Sequence, residues 1–164
     1  MDPRFRIGIG YDVHQLAEGG PLRLGGIDVP ADLHLVGHSD ADVLAHAITD
    51  AILGAAALGD IGEHFPPSDL SYRGIDSMVL LQRALGLAAA HGFVLVNVDA
   101  TLLAEAPKLG KHKEAMVRRL TEVLNLPDGR VSVKATTNEH LGFIGRGEGI
   151  AAMAVAMLEV QSHG

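Results

Sequence analysis

Apolar and polar positions alternate along this chain and then change period several times. Phe5 to Ile9 reads as a first strand. Leu22-Arg23-Leu24-Gly25-Gly26-Ile27-Asp28-Val29 predicts a hairpin, two short alternating arms around Gly-Gly, ended by Pro30. From about Asp40 to Leu58 the period becomes helical. Val43, Leu44, Ala47, Ile48, Ala51 and Ile52 fall on one stripe, and Gly59 ends it. Asp60 to Gly74 holds Gly, Pro-Pro and Ser-Asp and predicts a loop. A second helix is expected from about Asp76 to His91, stopped by Gly92.

Phe93 to Leu103 alternates again and predicts a long strand, and Arg130 to Thr136 another. Between them Pro107 predicts the start of a third helix, to about Asn125, since proline suits a first turn. Ile150 to Val160 is read as the last strand, although its alanines and methionines also suit a helix. Gly142 to Gly149 is then a tight loop re-entering the sheet. The sum is one α+β domain over residues 1–164: a mostly antiparallel, mixed sheet with three helices on one face. Alternate positions on the last strands are apolar or small on both sides, Val131, Val133 and Ala135, then Ala151, Met153 and Val155 against Ala152, Ala154 and Ala156. An uncovered apolar face predicts a homo-oligomer, and ring closure buries it by symmetry.

Composition narrows the chemistry. A chain of 164 residues suits one domain with its own core, and 48% hydrophobic residues argue against disorder. With no cysteine, a metal must be held by nitrogen and oxygen, and a reducing compartment is the natural setting. A formal net charge of −7 argues against a nucleic-acid partner but leaves room for a local cationic phosphate pocket. The start, Met-Asp-Pro-Arg-Phe-Arg, has no apolar targeting core, and Leu87-Ala88-Ala89-Ala90 is far too short to span a bilayer. The expectation is a cytoplasmic protein with no membrane partner.

Asp12 and His14 lie two apart in Gly-Tyr-Asp-Val-His, so on extended backbone both side chains point the same way. In Ser39-Asp40-Ala41-Asp42-Val43-Leu44-Ala45-His46 a helix starts and sets His46 about one turn inside it. One carboxylate and two imidazoles are three ligands, the number that leaves zinc a fourth position for water or substrate. Turn capping by Asp12 and two ordinary histidines is the plain alternative. His34, His64, His91, His112, His140 and His163 have no partner at chelating spacing and read as surface or core residues.

Four further segments suggest anion binding. Lys134, Thr136, Thr137 and Glu139 sit where a strand runs into a loop and suit a phosphate with a second cation. Arg146, between Gly145 and Gly147, can fork onto phosphate oxygens. Ala104-Glu105-Ala106-Pro107-Lys108 opens the expected third helix, whose free N–H groups suit anions or nucleobase carbonyls. His38 and Ser39 precede the helix that carries His46, as a phosphate contact and a cap. Leu58 to Gly62 and Phe65-Pro66-Pro67-Ser68-Asp69 form a loop able to line a pocket or cover it. Each signal alone also fits a plain turn or cap.

In this order the motifs resemble the 2-C-methyl-D-erythritol 2,4-cyclodiphosphate synthase family. The likeness runs from about Arg6 to Val160. It rests on GYDVH at Gly10–His14, HSDADVLAH at His38–His46 and TDAILGAAALGDIG at Thr49–Gly62. NVDATLLAEAPK at Asn97–Lys108 and VKATTNEHLGFIGRGEGIA at Val133–Ala151 complete it. The resemblance implies a homotrimer with active sites between subunits. It implies zinc on Asp12, His14 and His46, and magnesium or manganese on Glu139, with His38 and Thr137 steadying the transition state. Asp12, Val13, His14, His38, Ser39, Asp60, Ile61 and Gly62 would meet the methylerythritol phosphate end, under a flexible loop of Phe65, Pro66, Pro67, Ser68 and Asp69. Ala104, Glu105, Ala106, Pro107, Lys108, Leu109, Gly110 and Thr136 would form the cytidine pocket. Asn138, Phe143 and Arg146 would complete the phosphate side, and Arg146 would also face the trimer axis, where an isoprenoid diphosphate is a further implied ligand.

The implied reaction closes 4-diphosphocytidyl-2-C-methyl-D-erythritol 2-phosphate into a cyclic diphosphate and releases cytidine monophosphate. The chain departs from the family pattern at Asn138, where a third threonine is expected, and at Leu109-Gly110-Lys111-His112. Both changes bear on nucleotide contacts. No cytidylyltransferase segment is recognisable, so the monofunctional form is expected. A zinc phosphodiester or pyrophosphate hydrolase on the same ligands, and a non-catalytic metal- and diphosphate-binding trimer, are the competing readings.

Overall fold

The computed structural model describes residues 4–161, and His163 therefore lies outside the described residues. Among them the chain is α+β. Strand β1 runs Phe5–Glu18, β2 Leu22–Leu24, β3 Ile27–Val29 and β4 Leu33–Val36. Helix α1 spans Val43–Ala55, α2 Ile61–His64 and α3 Ser77–Ala90, followed by β5 at Phe93–Leu103. Helix α4 (Lys113–Leu124), β6 (Val131–Thr136), α5 (Gly142–Gly145) and β7 (Gly149–Val160) complete the order. Five strands form one sheet in the order β4-β1-β7-β5-β6. All neighbours are antiparallel except β5 and β6, which run parallel, so the sheet is mixed.

The alternation on β1 decides where everything else goes. Phe5, Ile7, Ile9, Tyr11 and Val13 point to one face, and Gly8, Gly10, Asp12 and His14 to the other. On the second face α1 lies almost on the strand. A Cβ at Gly8 would fall 2.0 Å from the Ala51 carbonyl oxygen, and one at Gly10 1.8 Å from that of Ala47. Only glycine permits this approach. The facing side of β7 is equally small, with Ala152, Ala154 and Ala156 buried beneath the helix layer. Helix α3 packs on α1, and α4 packs against β6.

On β1 and β7 the opposite face of the sheet is apolar and bare in the single chain. Ile9 pairs with Val155 and Tyr11 with Met153 across β1 and β7. Ile7 and Ile9 are 67% and 65% exposed. No helix among the described residues is long and apolar enough to cross a membrane.

Several expectations need correction. The first strand continues to Glu18, because β7 pairs with it as far as Gln15 and β4 from Gln15 to Glu18. Strand β4 was not foreseen; it is only four residues long, and His34 breaks its apolar run. The expected Asp60–Gly74 loop contains α2, capped by Asp60, and a 3-10 turn at Leu70–Tyr72, capped by Asp69. The third helix starts at Lys113 and not at Pro107. The Ala106–Pro107 bond is cis, and a 3-10 turn at Gly110–His112 precedes the helix. The buried stripe Met116, Leu120, Val123 and Leu124 that holds α4 begins only after that point. Gly142 to Gly149 contains the four-residue α5, so the α-helices among the described residues number five, three of them long.

Candidate active site

Extended backbone on β1 puts Asp12 and His14 on the helix face. Helix α1 is started by Asp42, whose side chain accepts the N–H groups of Leu44 and Ala45, and His46 stands one turn inside it. The two elements bring three side chains together. His46 Nδ1 is 3.0 Å from Asp12 Oδ2, His14 Nε2 is 3.0 Å from the same oxygen, and the two nitrogens are 3.1 Å apart. One donor atom from each residue lies within 4.8 Å of the others. The side chains of Asp12, His14 and His46 are only 26%, 18% and 11% exposed.

Electrostatics favours a cation here. Burial opposes ionisation of Asp12, but hydrogen bonds and charge from His14 and His46 outweigh it and hold the carboxyl well below the usual carboxylate range. Burial likewise disfavours a charged His14, yet Asp12 beside it raises that imidazole above its ordinary value. The outward nitrogens are occupied. His14 Nδ1 donates to the Val36 carbonyl at 2.9 Å, and His46 Nε2 meets Ser77 Oγ at 2.8 Å and Ser39 Oγ at 3.0 Å. The free faces of both rings are therefore turned to Asp12, as metal-binding histidines require. An N,N,O donor set suits zinc.

The triad opens into a cavity of about 270 Å³ lined also by His38, Ser39, Ile61, Gly62, Phe65, Pro67, Tyr72 and Leu80. Asp60 stands outside that lining and caps α2 through Glu63 N–H at 3.0 Å. Pro66, Ser68 and Asp69 lie on the same loop outside the lining, and the Asp69 carbonyl is 3.4 Å from His38 Nε2. Sequence reasoning missed Tyr72 and Leu80. It also missed Asp50, which accepts the Ile61 N–H at 2.8 Å and so fixes the start of α2. Burial raises the Asp50 carboxyl, against that bond, and Asp60 and Asp12 push it further.

A second cavity, about 370 Å³, is lined by Ala104, Pro107, Lys108, Leu109, Gly110, Lys113, Ala135, Thr136 and Thr137. It is a loop pocket. The helix N-terminus expected at Ala104–Lys108 is absent, and Lys113 and Ala135 are additions. Ala106 is not among its lining residues. Glu105 turns aside, accepting the Asn138 N–H at 3.1 Å and pairing with His140 at 3.2 Å. Glu139 is exposed at a positive φ of 51°, its N–H on Thr137 Oγ1 at 3.3 Å. Phe143 lines a third cavity with Val13, His14, Gln15, Glu148 and Gly149. Arg146 pairs with Glu148 at 2.6 Å. Within one chain the triad pocket and the Thr137 pocket share no residue, so His38 and Thr137 line different cavities.

His34, His64 and His91 donate to the carbonyls of Gly19, Leu58 and Leu87, a structural use in each case.

A sequence model of the YgbB family matches residues 5–159. The chain is 57% identical over 157 residues to the 2-C-methyl-D-erythritol 2,4-cyclodiphosphate synthase of Burkholderia lata, covering 96% of this chain and 98% of that one. It is 58% identical over 158 residues to the enzyme of the same name from Porphyromonas gingivalis, with the same coverage. Among solved structures it superposes with a TM-score of 0.87 and 42% identity on a 2C-methyl-D-erythritol-2,4-cyclodiphosphate synthase, covering 94% of this chain and all of the other. The bifunctional IspDF from Campylobacter jejuni matches at TM-score 0.92 and 46% identity, over 95% of this chain but 42% of that one.

Proposed function

The chain belongs to the YgbB family, and from that premise we propose that it converts 4-diphosphocytidyl-2-C-methyl-D-erythritol 2-phosphate to 2-C-methyl-D-erythritol 2,4-cyclodiphosphate and cytidine monophosphate. This is a phosphorus–oxygen lyase reaction of isoprenoid biosynthesis. The observation that carries it to this chain's own residues is the convergence of Asp12, His14 and His46 at one wall of a pocket. The loop pocket lined from Ala104 to Thr137 would take the cytidine end of such a substrate.

In the reaction an oxygen of the 2-phosphate bonds to the β-phosphorus. The bond from that phosphorus to the bridging oxygen breaks, and cytidine monophosphate leaves with the electron pair. The nucleophile is already an anion, so no general base is needed. The work of the protein is to fold the substrate and to tolerate its charge. Holding the two phosphates in line supplies up to about 7–11 kcal/mol in the best intramolecular cases. Zinc held by Asp12, His14 and His46 would supply Lewis acidity toward a phosphoryl oxygen, and magnesium or manganese held by Glu139 would supply positive charge to offset that of the phosphates. His38 and Thr137 hydrogen-bond the phosphoryl oxygens in the transition state. Ser39 and Asp60–Gly62 hold the methylerythritol end, and the loop carrying Phe65 to Asp69 covers it. Ala104–Gly110 with Thr136 receives the cytidine, and Asn138, Phe143 and Arg146 flank the phosphates.

His38 and Thr137 line separate cavities of one chain, which supports a homotrimer whose active sites combine the triad of one subunit with the loop pocket of the next. The bare apolar face of β1 and β7 is the surface that assembly would bury. Arg146 and Glu148 would then stand near the axis, in position for an isoprenoid diphosphate. A cytoplasmic setting goes with the proposal, since a cysteine-free chain needs no oxidising compartment.

The test is incubation with the cytidine diphosphate substrate and both metals. Cytidine monophosphate with cyclic diphosphate in equal amounts is expected. An open-chain methylerythritol phosphate product would make the protein a hydrolase, and no turnover would leave a binding module.

A further inference from the structure

His46 faces two ways. Its Nδ1 points at Asp12 and His14, and its Nε2 points into the seam between α1 and α3, 2.8 Å from the hydroxyl of Ser77. Ser77 is completely buried at the first position of α3. Its hydroxyl makes a very short hydrogen bond to Asp40 Oδ1, and its backbone N–H donates to Asp40 Oδ2 at 3.1 Å. Asp40 Oδ1 also accepts the Asp42 N–H at 3.2 Å, and Arg23 Nε stands 3.7 Å from Oδ2. Every partner of Asp40 in this network is a donor.

The direction of the chain of bonds follows from this. Asp40 receives and Ser77 gives, so the one proton of the Ser77 hydroxyl is spent on the carboxylate. Toward His46, Ser77 offers only a lone pair. Ser77 thus favours a proton on Nε2, while Asp12 Oδ2, 3.0 Å from Nδ1, competes for one on that nitrogen until an ion takes its lone pair. Ser39 Oγ, 3.0 Å from Nε2, accepts the Ala41 N–H at 3.3 Å and lies 3.3 Å from Ser77 Oγ, whose remaining lone pair can take the Ser39 proton. His14 reaches the same end by a shorter route, its Nδ1 proton going straight to the Val36 carbonyl.

We propose that Ser77 and Asp40 are positioning residues which hold a proton on His46 Nε2, leave Nδ1 to the ion, and so set how tightly the Asp12–His14–His46 triad holds it. The proposal rests on the metal reading of that triad but adds two residues that touch neither metal nor substrate. The seam between α1 and α3 thereby becomes part of the site.

The experiment uses the full chain with 15N-labelled histidine. The metal-free protein is studied by long-range 1H–15N NMR at about pH 8, where an unperturbed imidazole is neutral. Zinc affinity is measured separately by competition with a chromophoric chelator. In the wild type His46 is expected to carry a proton on Nε2. In Ser77→Ala the Nδ1–H form should appear, and zinc should bind on the order of 10–100-fold more weakly. Asp40→Ala keeps the serine but removes its acceptor. The hydroxyl then turns to donate to Nε2, so the Nδ1–H form should dominate, again with weaker zinc. A merely structural role for the pair would lower the unfolding midpoint and leave the tautomer signal as it was. Unchanged Nε2–H populations in both variants, with zinc dissociation constants within about twofold of wild type, would overturn the relay. Should Ser77→Ala not fold, Asp40→Ala decides alone. Should the wild type bind no zinc, the metal reading fails, while the metal-free spectra still judge the proton on Nε2.

Discussion

The carboxylate of Asp42 accepts the backbone N–H of Gly26 at 2.7 Å, from the tip of the β2–β3 hairpin. It also accepts Gly25 N–H at 2.9 Å and caps α1 through Leu44 and Ala45 at 3.2 and 3.1 Å. One fully buried side chain thus ties the hairpin to the helix that presents His46.

Asp42→Ala is expected to lose about 2–4 kcal/mol in denaturant unfolding, because it removes a helix cap and strands buried donors. The pH dependence has a definite sign. Burial raises the Asp42 carboxyl above its ordinary 3.8, against the bonds from Gly26, Gly25 and Ala45. A raised carboxyl holds its proton more tightly when folded. Its contribution is complete below 3.8 and is lost as pH rises through the higher folded value. The wild type should therefore lose stability relative to Asp42→Asn as pH climbs out of the acid range. A difference that stays flat with pH contradicts this.

Gly10→Ala should cost about 3 kcal/mol or more, since the new Cβ would sit 1.8 Å from the Ala47 carbonyl oxygen and force α1 off β1. Gly86→Ala on α3 is the control. Its Cβ meets nothing within 4 Å, and the change should stabilise by up to about 1 kcal/mol. Thermal melts of the two variants read the contrast directly.

His46→Ala should abolish zinc retention and turnover with the oligomer intact, while Glu139→Gln should shift the magnesium or manganese titration and leave zinc content unchanged. Metal analysis of purified protein and initial rates against divalent ion separate the two. Normal zinc in the first variant, or an unmoved titration in the second, removes that residue from its role.

Ile9→Asp places a charge where 65% of the side chain is bare in the single chain. If three copies close over this face, sedimentation should show a trimer for the wild type and monomer for the variant. A trimeric variant would move the interface elsewhere.

Much of this was open to reading because it is local. The alternation from Phe93 to Leu103 is β5 to the residue, and the stripe from Val43 to Ile52 is the buried side of α1. Asp12 and His14 share a strand face, and His46 follows its cap by one turn, so each half of the triad is visible at short range. What brings the halves together is not local. Gly8 and Gly10 look like places where a strand would stop, yet they are where the helix lands, and β1 runs on past them. Pro107 suggested a helix start because proline tolerates a first turn, but the apolar repeat that secures α4 begins nine residues later, at Met116. Ser77 carries no signal at all, since its contact with His46 exists only after α3 docks on α1.

The landing of α1 on Gly8 and Gly10 has one more result. Backbone meets backbone there, with no side chain between them to change rotamer or slide. The spacing between the backbone that carries His46 and the backbone that carries Asp12 and His14 is therefore fixed by peptide atoms, which yield far less than packed side chains do. Any give in the triad is left to the χ angles of its three side chains, which turn on a frame that does not breathe.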